Sequence, residues 1–479
     1  MPQTVRQVQP PLNFVPAAYN PHVIRVIHWM LPIFMRVRLR PWLPAGISRI
    51  EVQGIDNLVD LYQQFEASQA RFIMAPRHVE VDDPLSGLYL CSRAVAKAAK
   101  AKGIRLKQPI HIHFIYERGM TIWAGQFVGW LLSHIGGTPI RRGRKPDWVG
   151  LKAARKLMVE GSLPLVVAPE GATNGHSERI GPLEPGVAQL GFWCAEDLQK
   201  ANRPESVFIV PVGIQYHYEQ SDWPRLSKLL DKLETQSGLA PISYSAIAQQ
   251  ACHLRILRLG EHLIETMERF YSRYYHQRFE LPITDIKTDT KTDLTTDLKA
   301  ENAEAAYEQR LTILLDKALS ISEQFFNLKG RGTLVDRCRQ IEEASWNYIY
   351  REDLPELDQL SPLHRGLADW AAQEASLREL HMRIVESFVA VDGNYLKEKP
   401  SFERCAEMTL LMSDMLARLD GDKLPGRPRL GLRWVQMTVQ PPIEVTSRLV
   451  DYQASRKSGR QAVNALTEEI RQSLEETIK

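Results

Sequence analysis

Apolar and polar positions along this chain follow two different patterns, and the change between them occurs near residue 222. Between residues 51 and 215, helical periodicity is interrupted by short apolar runs rich in β-branched residues, which we predict to be strands. These runs cover residues 71–75, 110–115, 165–168 and 207–212. Strands that alternate with helices are typical of an α/β sheet with crossover connections. The pattern therefore predicts an α/β core whose functional residues collect where the strands end.

The remainder of the chain has a helical pattern. Helical periodicity continues from residue 222 until residues 433–445, RWVQMTVQPPIEV, where a strand pattern returns ahead of a last amphipathic helix. A tract of Lys, Thr and Asp at residues 285–305 interrupts the periodicity, and its low complexity cannot supply an apolar core. We therefore predict a mostly helical region over residues 218–429 that contains a flexible loop at residues 283–303.

The N-terminal segment, residues 1–44, contains an apolar stretch at residues 26–35 with arginines on both sides. This stretch has about half of the ~20 apolar residues that a membrane-spanning helix needs, and Pro32 lies inside it. Aromatic side chains such as Trp29, mixed with arginine, favour an amphipathic element in the headgroup region of an anionic membrane. A helix packed on the core with its arginines in water explains the same pattern equally well.

Composition narrows the class of protein. The chain has 479 residues, which is more than a single domain with one hydrophobic core normally contains. We therefore predict two or three domains, or one domain with a large insertion. Hydrophobic residues at 44% and charged residues at 24% are ordinary globular usage, and the net charge of +3 gives no reason to expect nucleic acid as a partner. The five widely spaced cysteines include no C-x-x-C pair, which favours a reducing, cytoplasmic location.

A polar cluster follows the first predicted strand, in the stretch RFIMAPRHVEVDDPLSG. His78 and Asp83 have the spacing H-x-x-x-x-D, and Asp82 is an alternative partner for the histidine. A carboxylate at the start of a helix can fold back to the imidazole, fix its tautomer and stabilise the imidazolium. No serine or cysteine nucleophile is evident nearby, so the pair indicates a base that activates a hydroxyl of the substrate. A charged surface loop is the alternative, and the spacing alone favours it.

Three later blocks carry further polar chemistry in a fixed order. The second block, IGGTPIRRGRKP at residues 135–146, ends in a cationic patch suited to an anionic headgroup. Its cations are Arg141, Arg142, Arg144 and Lys145. The third block, VVAPEGATNG at residues 166–175, ends a buried strand in P-E-G, where a loop can present backbone N–H groups and one carboxylate. The fourth block, IVPVGIQY at residues 209–216, is an apolar strand interrupted by Pro211.

In order and spacing these four blocks resemble those of the glycerolipid acyltransferase family, which includes bacterial 1-acylglycerol-3-phosphate acyltransferases. The resemblance implies that His78 is the general base towards the acceptor hydroxyl, and its spacing selects Asp83 rather than Asp82 as the partner. It implies that the substrate is bound by the second block and the P-E-G loop, here Arg141, Arg142, Glu170 and Gly171. The implied cosubstrate is an acyl thioester, acyl-CoA or acyl carrier protein, with no metal or prosthetic group. The implied partners are a lysolipid acceptor and a membrane surface, with the protein peripherally associated.

The same resemblance implies that the core is split. Family chains close soon after the fourth block with a strand and a helix, and the elements that resemble them here, VQMTVQPPIEV and ALTEEIRQSL, come more than two hundred residues later. We predict an acyltransferase-type α/β core at residues 45–217 plus 430–479, with a large mostly helical insertion at residues 218–429. The rival interpretation closes the core at residues 256–271 and leaves the remainder as an appended domain.

Several alternatives stay open at the level of sequence. Ala172 and Thr173 stand where Thr-Arg is frequent after P-E-G, so the acceptor is 1-acylglycerol-3-phosphate or another lysophospholipid. The alternative functions are a non-catalytic lipid-binding or scaffold protein that retains the fold, and a hydrolase that activates water with the same pair. His111 and His113 have the H-x-H spacing of metal sites, but no further ligand with fitting spacing follows, so packing is favoured. The oligomeric state is not predicted.

Overall fold

A computed structural model of the protein groups the chain into two compact units. The residues that it describes are 7–12, 14–38, 46–141, 147–171, 173–242, 248–279, 297–354, 356–388, 394–421 and 426–478. The core unit comprises Leu12–Gln220 and Gly431–Lys479, and the helical unit comprises Met1–Pro11 and Ser221–Leu430. Residues 12–38 of the predicted N-terminal segment therefore cluster with the core unit.

The core unit is built on one mixed sheet. Its strands are β1 (Ile47–Gln53), β2 (Ala70–Pro76), β3 (His113–Glu117), β4 (Gly137–Ile140), β5 (Leu165–Val166), β6 (Ser206–Tyr218), β7 (Arg433–Val439) and β8 (Ile443–Glu444). The order across the sheet is β1-β7-β6-β2-β5-β3-β4, and β8 pairs with β6. Strands β2 to β6 run parallel to their neighbours among themselves, whereas β7 and β8 are antiparallel to β6. The predicted α/β fold class is confirmed.

Strand β7 enters the sheet from far along the chain. It lies between β1 and β6, parallel to the first and antiparallel to the second. Its residues 433–439 pair with residues 212–218 of β6, whose earlier residues 206–212 pair with β2. The stretch 256–271, which is the rival candidate for closing the core, instead lies in a long helix of the helical unit. Strand order thus places the element after the helical region inside the sheet.

Helices surround the sheet and fill the helical unit. They are α1 (Pro21–Arg36), α2 (Ile55–Glu66), α3 (Asp83–Tyr89), α4 (Ala96–Ala101), α5 (Met120–Ala124), α6 (Gln126–His134), α7 (Trp148–Glu160), α8 (Gly186–Lys200), α9 (Trp223–Gln236), α10 (Ala248–Tyr275), α11 (Asp297–Phe325), α12 (Leu334–Ile349), α13 (Pro362–Glu386), α14 (Asn394–Glu398), α15 (Phe402–Asp420), α16 (Leu449–Ala454) and α17 (Arg456–Glu475). Within the described ranges, no helix is both long and apolar enough to cross a membrane. Of the predicted loop 283–303, residues 283–296 lie outside the described residues, and 297–303 begin α11.

Both faces of the sheet are buried. Along β2, Phe72 and Met74 point into one apolar cluster, while Ile73 and Ala75 point into the other. The first cluster is completed by residues of α1 and α2, and the second by residues of α7, α8 and α17. A strand that is buried on both faces is apolar without alternation. This explains why residues 72–75 form a continuous apolar run in the sequence.

Two strands of the sheet were not predicted. Strand β4 has only four residues, and its Gly137 and Pro139 are typical of a turn rather than of a strand. Pro139 is tolerated because β4 is an edge strand, where one side of the strand forms no hydrogen bonds to a neighbouring strand and the missing N–H is not needed. The two buried residues of β1, Ile47 and Ile50, lie three positions apart and so do not show the period of two that predicts a strand; its pairing with the distant β7 makes it part of the sheet.

The two histidines of the H-x-H pattern are packed and hydrogen-bonded. Nε2 of His111 donates to the carbonyl of Ile135 at 2.7 Å, and Nδ1 of His113 donates to the carbonyl of Gly136 at 3.0 Å. The ring of His28 from α1 lies edge-on to His111, with 5.6 Å between ring centroids. The described residues contain no group of three or more His, Cys, Asp or Glu side chains placed to hold a metal ion.

These histidines make stability depend on pH. Burial lowers the pKa of His111 to about 3, and burial together with the charge of Arg93 lowers the pKa of His28 to about 4. Below about pH 6.5 these histidines become protonated in the unfolded chain but stay neutral in the folded protein. The free energy of unfolding therefore falls as pH falls. We expect His111 alone to remove about 2 kcal/mol between pH 7.5 and pH 5.

Urea unfolding at three pH values in this window measures the effect. His111→Gln should show a flatter dependence of the free energy of unfolding on pH than the wild type, because glutamine does not titrate. Equal slopes for the wild type and His111→Gln would contradict the prediction.

Candidate active site

The carboxyl ends of the parallel strands bring the predicted site residues to one edge of the sheet. His78 follows β2, Glu170 follows β5 and Arg141 follows β4. Strands β2 and β5 are neighbours, so His78 and Glu170 are adjacent. Strand β4 lies three strands from β2, which separates Arg141 from His78 by on the order of 14 Å. Arg142 lies outside the described residues.

The histidine and aspartate of the first block are in direct contact. Helix α3 begins at Asp83, and the turn between β2 and α3 folds the carboxylate back towards the ring of His78. Nδ1 of His78 lies 2.9 Å from Oδ2 of Asp83. Since an ionised carboxylate only accepts, Nδ1 carries the proton and Nε2 is left as the basic nitrogen. The side chain of His78 is 29% exposed, and no hydrogen-bond partner of Nε2 is found among the described residues.

Three donors hold Asp83. Besides His78, the backbone N–H of Glu80 donates to Oδ2 at 3.0 Å, and the hydroxyl of Tyr216 on β6 donates to Oδ1 at 2.7 Å. Burial, and then the carboxylates of Asp83 and Asp82, raise the pKa of Tyr216 well above its usual value, so the phenol stays protonated as a donor. The carboxylate is therefore oriented from both sides.

Asp82 has a different partner. The guanidinium of Arg433, at the start of β7, donates to Oδ2 of Asp82 at 2.8 Å and lies 3.6 Å from Oε1 of Glu80. All three side chains are buried. The same guanidinium stacks over the ring of Tyr216, with 4.6 Å from Cζ to the ring centroid. Two of the carboxylates in the first block are thus paired with Arg433, and the third is the partner of His78.

Glu170 of the P-E-G loop is buried and fully engaged by the protein. Its Oε1 accepts the backbone N–H of His78 at 3.0 Å, and its Oε2 accepts the backbone N–H of Gly181 at 2.8 Å and the amide of Asn174 at 2.5 Å. Oε1 also lies 3.6 Å from Nε of Arg77. These contacts tie the loop after β5 to the loop after β2. A substrate-binding role for Glu170 stays a prediction.

Arg77 holds the same two loops together from the other side. Its guanidinium is completely buried and donates to the carbonyls of His176, Ser177 and Arg179. The backbone N–H of Arg77 donates to the carbonyl of Val212 at 3.0 Å. A guanidinium with five donors suits this task, because one side chain can bind several carbonyls. Arg77 therefore stabilises the loop at residues 176–179.

Gly171 and Arg141 are placed by their backbones. Gly171 has a φ of 72°, in the left-handed region that favours glycine, and its N–H donates to the carbonyl of Ala168 at 3.2 Å. The N–H of Arg141 donates to Oδ2 of Asp147 at 2.8 Å, and the same oxygen accepts from the guanidinium of Arg118. Arg118 follows β3 and was not predicted, although its position at a strand end was a signal. The binding roles of Gly171 and Arg141 stay predictions.

Glu170→Gln is expected to destabilise the core unit by about 1–3 kcal/mol. Both carboxylate oxygens of Glu170 accept hydrogen bonds, whereas a glutamine amide has only one accepting oxygen, so its NH₂ group would face a buried N–H donor. Urea unfolding followed by tryptophan fluorescence measures the loss. Glu160→Gln, at an exposed glutamate of α7 that pairs with Lys156, is the control and should leave the unfolding curve unchanged. Wild-type stability of Glu170→Gln would contradict the bridging role.

Comparison with known proteins adds one finding to this geometry. A family model described as Acyltransferase matches residues 49–215. The comparisons with curated proteins and with solved structures gave no significant match. The matched range begins within β1, ends within the fourth block and includes both members of the His78–Asp83 pair. The predicted family is confirmed: residues 49–215 belong to the Acyltransferase family, and the reaction class of this domain is the transfer of an acyl group.

Proposed function

We propose that the protein transfers a fatty acyl group from an acyl thioester, either acyl-CoA or acyl carrier protein, to a hydroxyl of a glycerolipid. The acceptor is 1-acylglycerol-3-phosphate or another lysophospholipid. The observation that carries this proposal is the contact of His78 with Asp83, in which Nδ1 is occupied and the partly exposed ring keeps Nε2 for the acceptor. A histidine oriented in this way can act as a general base towards a bound hydroxyl.

The reaction then proceeds by direct attack of the acceptor. Nε2 of His78 takes the hydroxyl proton while the oxygen bonds to the thioester carbonyl carbon, and Asp83 stabilises the imidazolium that forms. When the tetrahedral intermediate collapses, the carbon–sulfur bond breaks and the imidazolium returns the proton to the leaving thiolate. The products are an ester and a free thiol. No metal or prosthetic group takes part in these steps.

The cations near the second block support an anionic acceptor. Arg118 and Arg141 follow neighbouring strands, β3 and β4, and both contact Asp147 at the start of α7. Two guanidinium groups therefore lie at this strand edge, beside the carboxylates of Asp147 and Glu117. A phosphate or phosphodiester headgroup could accept hydrogen bonds from such guanidinium groups.

Helices α1 and α6 support association with a membrane surface. Helix α1 buries Ile24, Leu31 and Met35. Its Trp29 is 75% exposed, and further apolar side chains of the helix are exposed as well. The additional exposed residues of the two helices are Val26, Ile33, Phe127 and Trp130. The segment ahead of α1 is hydrogen-bonded to the end of α6, from the N–H of Asn20 to the carbonyl of His134 at 2.8 Å. Exposed aromatic residues flanked by arginine favour the headgroup region.

A thiol-release assay tests the proposed function. Purified full-length protein is given acyl-CoA or acyl carrier protein with a panel of lysolipids, and the lipid product is identified by its mass. We expect free thiol together with a diacyl lipid. Free fatty acid as the product would show a hydrolase, and lysolipid binding without thiol release would show a lipid-binding protein; either result would overturn the proposal.

A further inference from the structure

We propose that Tyr216 is a positioning residue, which acts on His78 through Asp83 by holding the carboxylate in the orientation that receives Nδ1–H. The expected effect on kcat rests on the proposed function, whereas the positioning of Asp83 by Tyr216 does not. The residue lies on β6, 133 positions from Asp83 in sequence, and the blocks that carry the family resemblance give it no role.

The geometry around Asp83 assigns each oxygen to a side. Oδ2 accepts from Nδ1 of His78 and from the N–H of Glu80, whereas Oδ1 accepts from the hydroxyl of Tyr216 at 2.7 Å. A carboxylate that turned only part of the way about its Cβ–Cγ bond would lose all three contacts, whereas a half turn merely exchanges two equivalent oxygens. The Tyr216 hydroxyl therefore fixes this rotation, because it lies on the side opposite to the histidine.

Tyr216 is itself rigidly placed. Its ring is buried and lies under the guanidinium of Arg433, and its backbone N–H donates to Oγ of Ser177 at 3.2 Å. The strand that carries it is paired with β7 in this region, where Tyr216 is opposite Val435. A donor on a central strand, packed on both sides, loses little freedom when it binds the carboxylate. This makes the hydroxyl an effective anchor for Asp83, the first residue of α3.

The test compares Tyr216→Phe with a matched control. Tyr62→Phe removes another buried hydroxyl of the core unit, which donates to the carbonyl of His111 at 3.1 Å and does not contact the pair. We expect Tyr216→Phe to lower kcat about 10- to 100-fold, as for a lost hydrogen bond to a charged group, with KM for both substrates within about twofold. Tyr62→Phe should leave kcat within about twofold of the wild type.

A double-mutant cycle shows whether the effect passes through the aspartate. In an Asp83→Ala background, Tyr216→Phe should lower kcat by less than about twofold, because the group that it positions is absent. Independent, multiplying losses would overturn the inference. A loss in Tyr62→Phe equal to that in Tyr216→Phe would also overturn it.

A spectroscopic readout separates this inference from the proposed function. In ¹⁵N-histidine-labelled full-length protein, the Nδ1–H resonance of His78 is assigned by its loss in His78→Gln. It should move upfield or vanish in Tyr216→Phe and stay in place in Tyr62→Phe. If Tyr216→Phe does not fold, 3-fluorotyrosine at position 216 keeps the hydroxyl and should still shift the resonance.

The outcomes are distinct. An unchanged resonance would overturn the positioning role. A resonance that responds to Tyr216→Phe in a protein without transferase activity would overturn the proposed function and support the positioning role.

Discussion

His78→Ala is expected to lower the turnover of acyl transfer by about 100- to 10,000-fold, the range that positioned general-base catalysis supplies. The side chain is partly exposed, and its contribution to the fold is limited to the contact with Asp83, because the loop is held by the backbone N–H of His78 and by other residues. Alanine keeps that N–H. The folded state should therefore be retained, with the same unfolding midpoint to within a few degrees.

Initial rates of thiol release at saturating thioester measure this loss. The control is His22→Ala, which changes an exposed histidine of α1 that lies outside the four blocks. Its rate of thiol release should equal that of the wild type. Wild-type turnover in His78→Ala would contradict the proposed mechanism. Loss of the folded state in His78→Ala would show instead that the residue is structural.

Arg433→Met is expected to destabilise the core unit by about 3–5 kcal/mol. Methionine fills the space of the aliphatic stem but leaves the carboxylates of Glu80 and Asp82 buried without their cation. The same change removes the stacking over Tyr216, so the contact between Tyr216 and Asp83 should weaken and turnover should fall together with stability. Urea unfolding and the thiol-release rate, measured on the same preparation, report both effects.

A second substitution tests the electrostatic cause. Asp82→Asn in the Arg433→Met background should recover part of the lost stability, since it removes one of the two buried carboxylate charges that Arg433 balances in the wild type. Arg471→Met is the control, because Arg471 makes exposed pairs with Glu468 and Glu475 on α17, and no measurable change is expected. Wild-type stability of Arg433→Met would contradict the account, as would the absence of recovery in the double variant.

The four blocks taken together, rather than the local spacing alone, predicted the pair at the centre of the site. The interval from His78 to Asp83 spans a strand end and the first residue of a helix, so five positions determine whether the carboxylate can reach the ring. In the structure Asp83 lies against His78, and Asp82 lies against Arg433. The catalytic roles stay proposals until the variants are measured.

Contacts between distant parts of the chain could not be predicted in the same way. The P-E-G loop was interpreted as a surface that meets substrate, but Glu170 lies 92 positions from His78 and accepts its backbone N–H. Arg77 carried no predicted role, and the structure shows it bound to carbonyls about a hundred residues later. No pattern in a single sequence records which loop will close over which strand.

The sequence by itself determined the α/β class, the helical region that follows the matched domain and the five-residue spacing of the His78–Asp83 pair. These features depend on local periodicity and on short intervals, which are properties of neighbouring residues. Only the tertiary structure decided that β7 lies between β1 and β6, and that Arg433 pairs with Asp82 across 351 positions. Sheet pairing joins strands that are far apart in the chain, and burial then requires each enclosed charge to find its partner there.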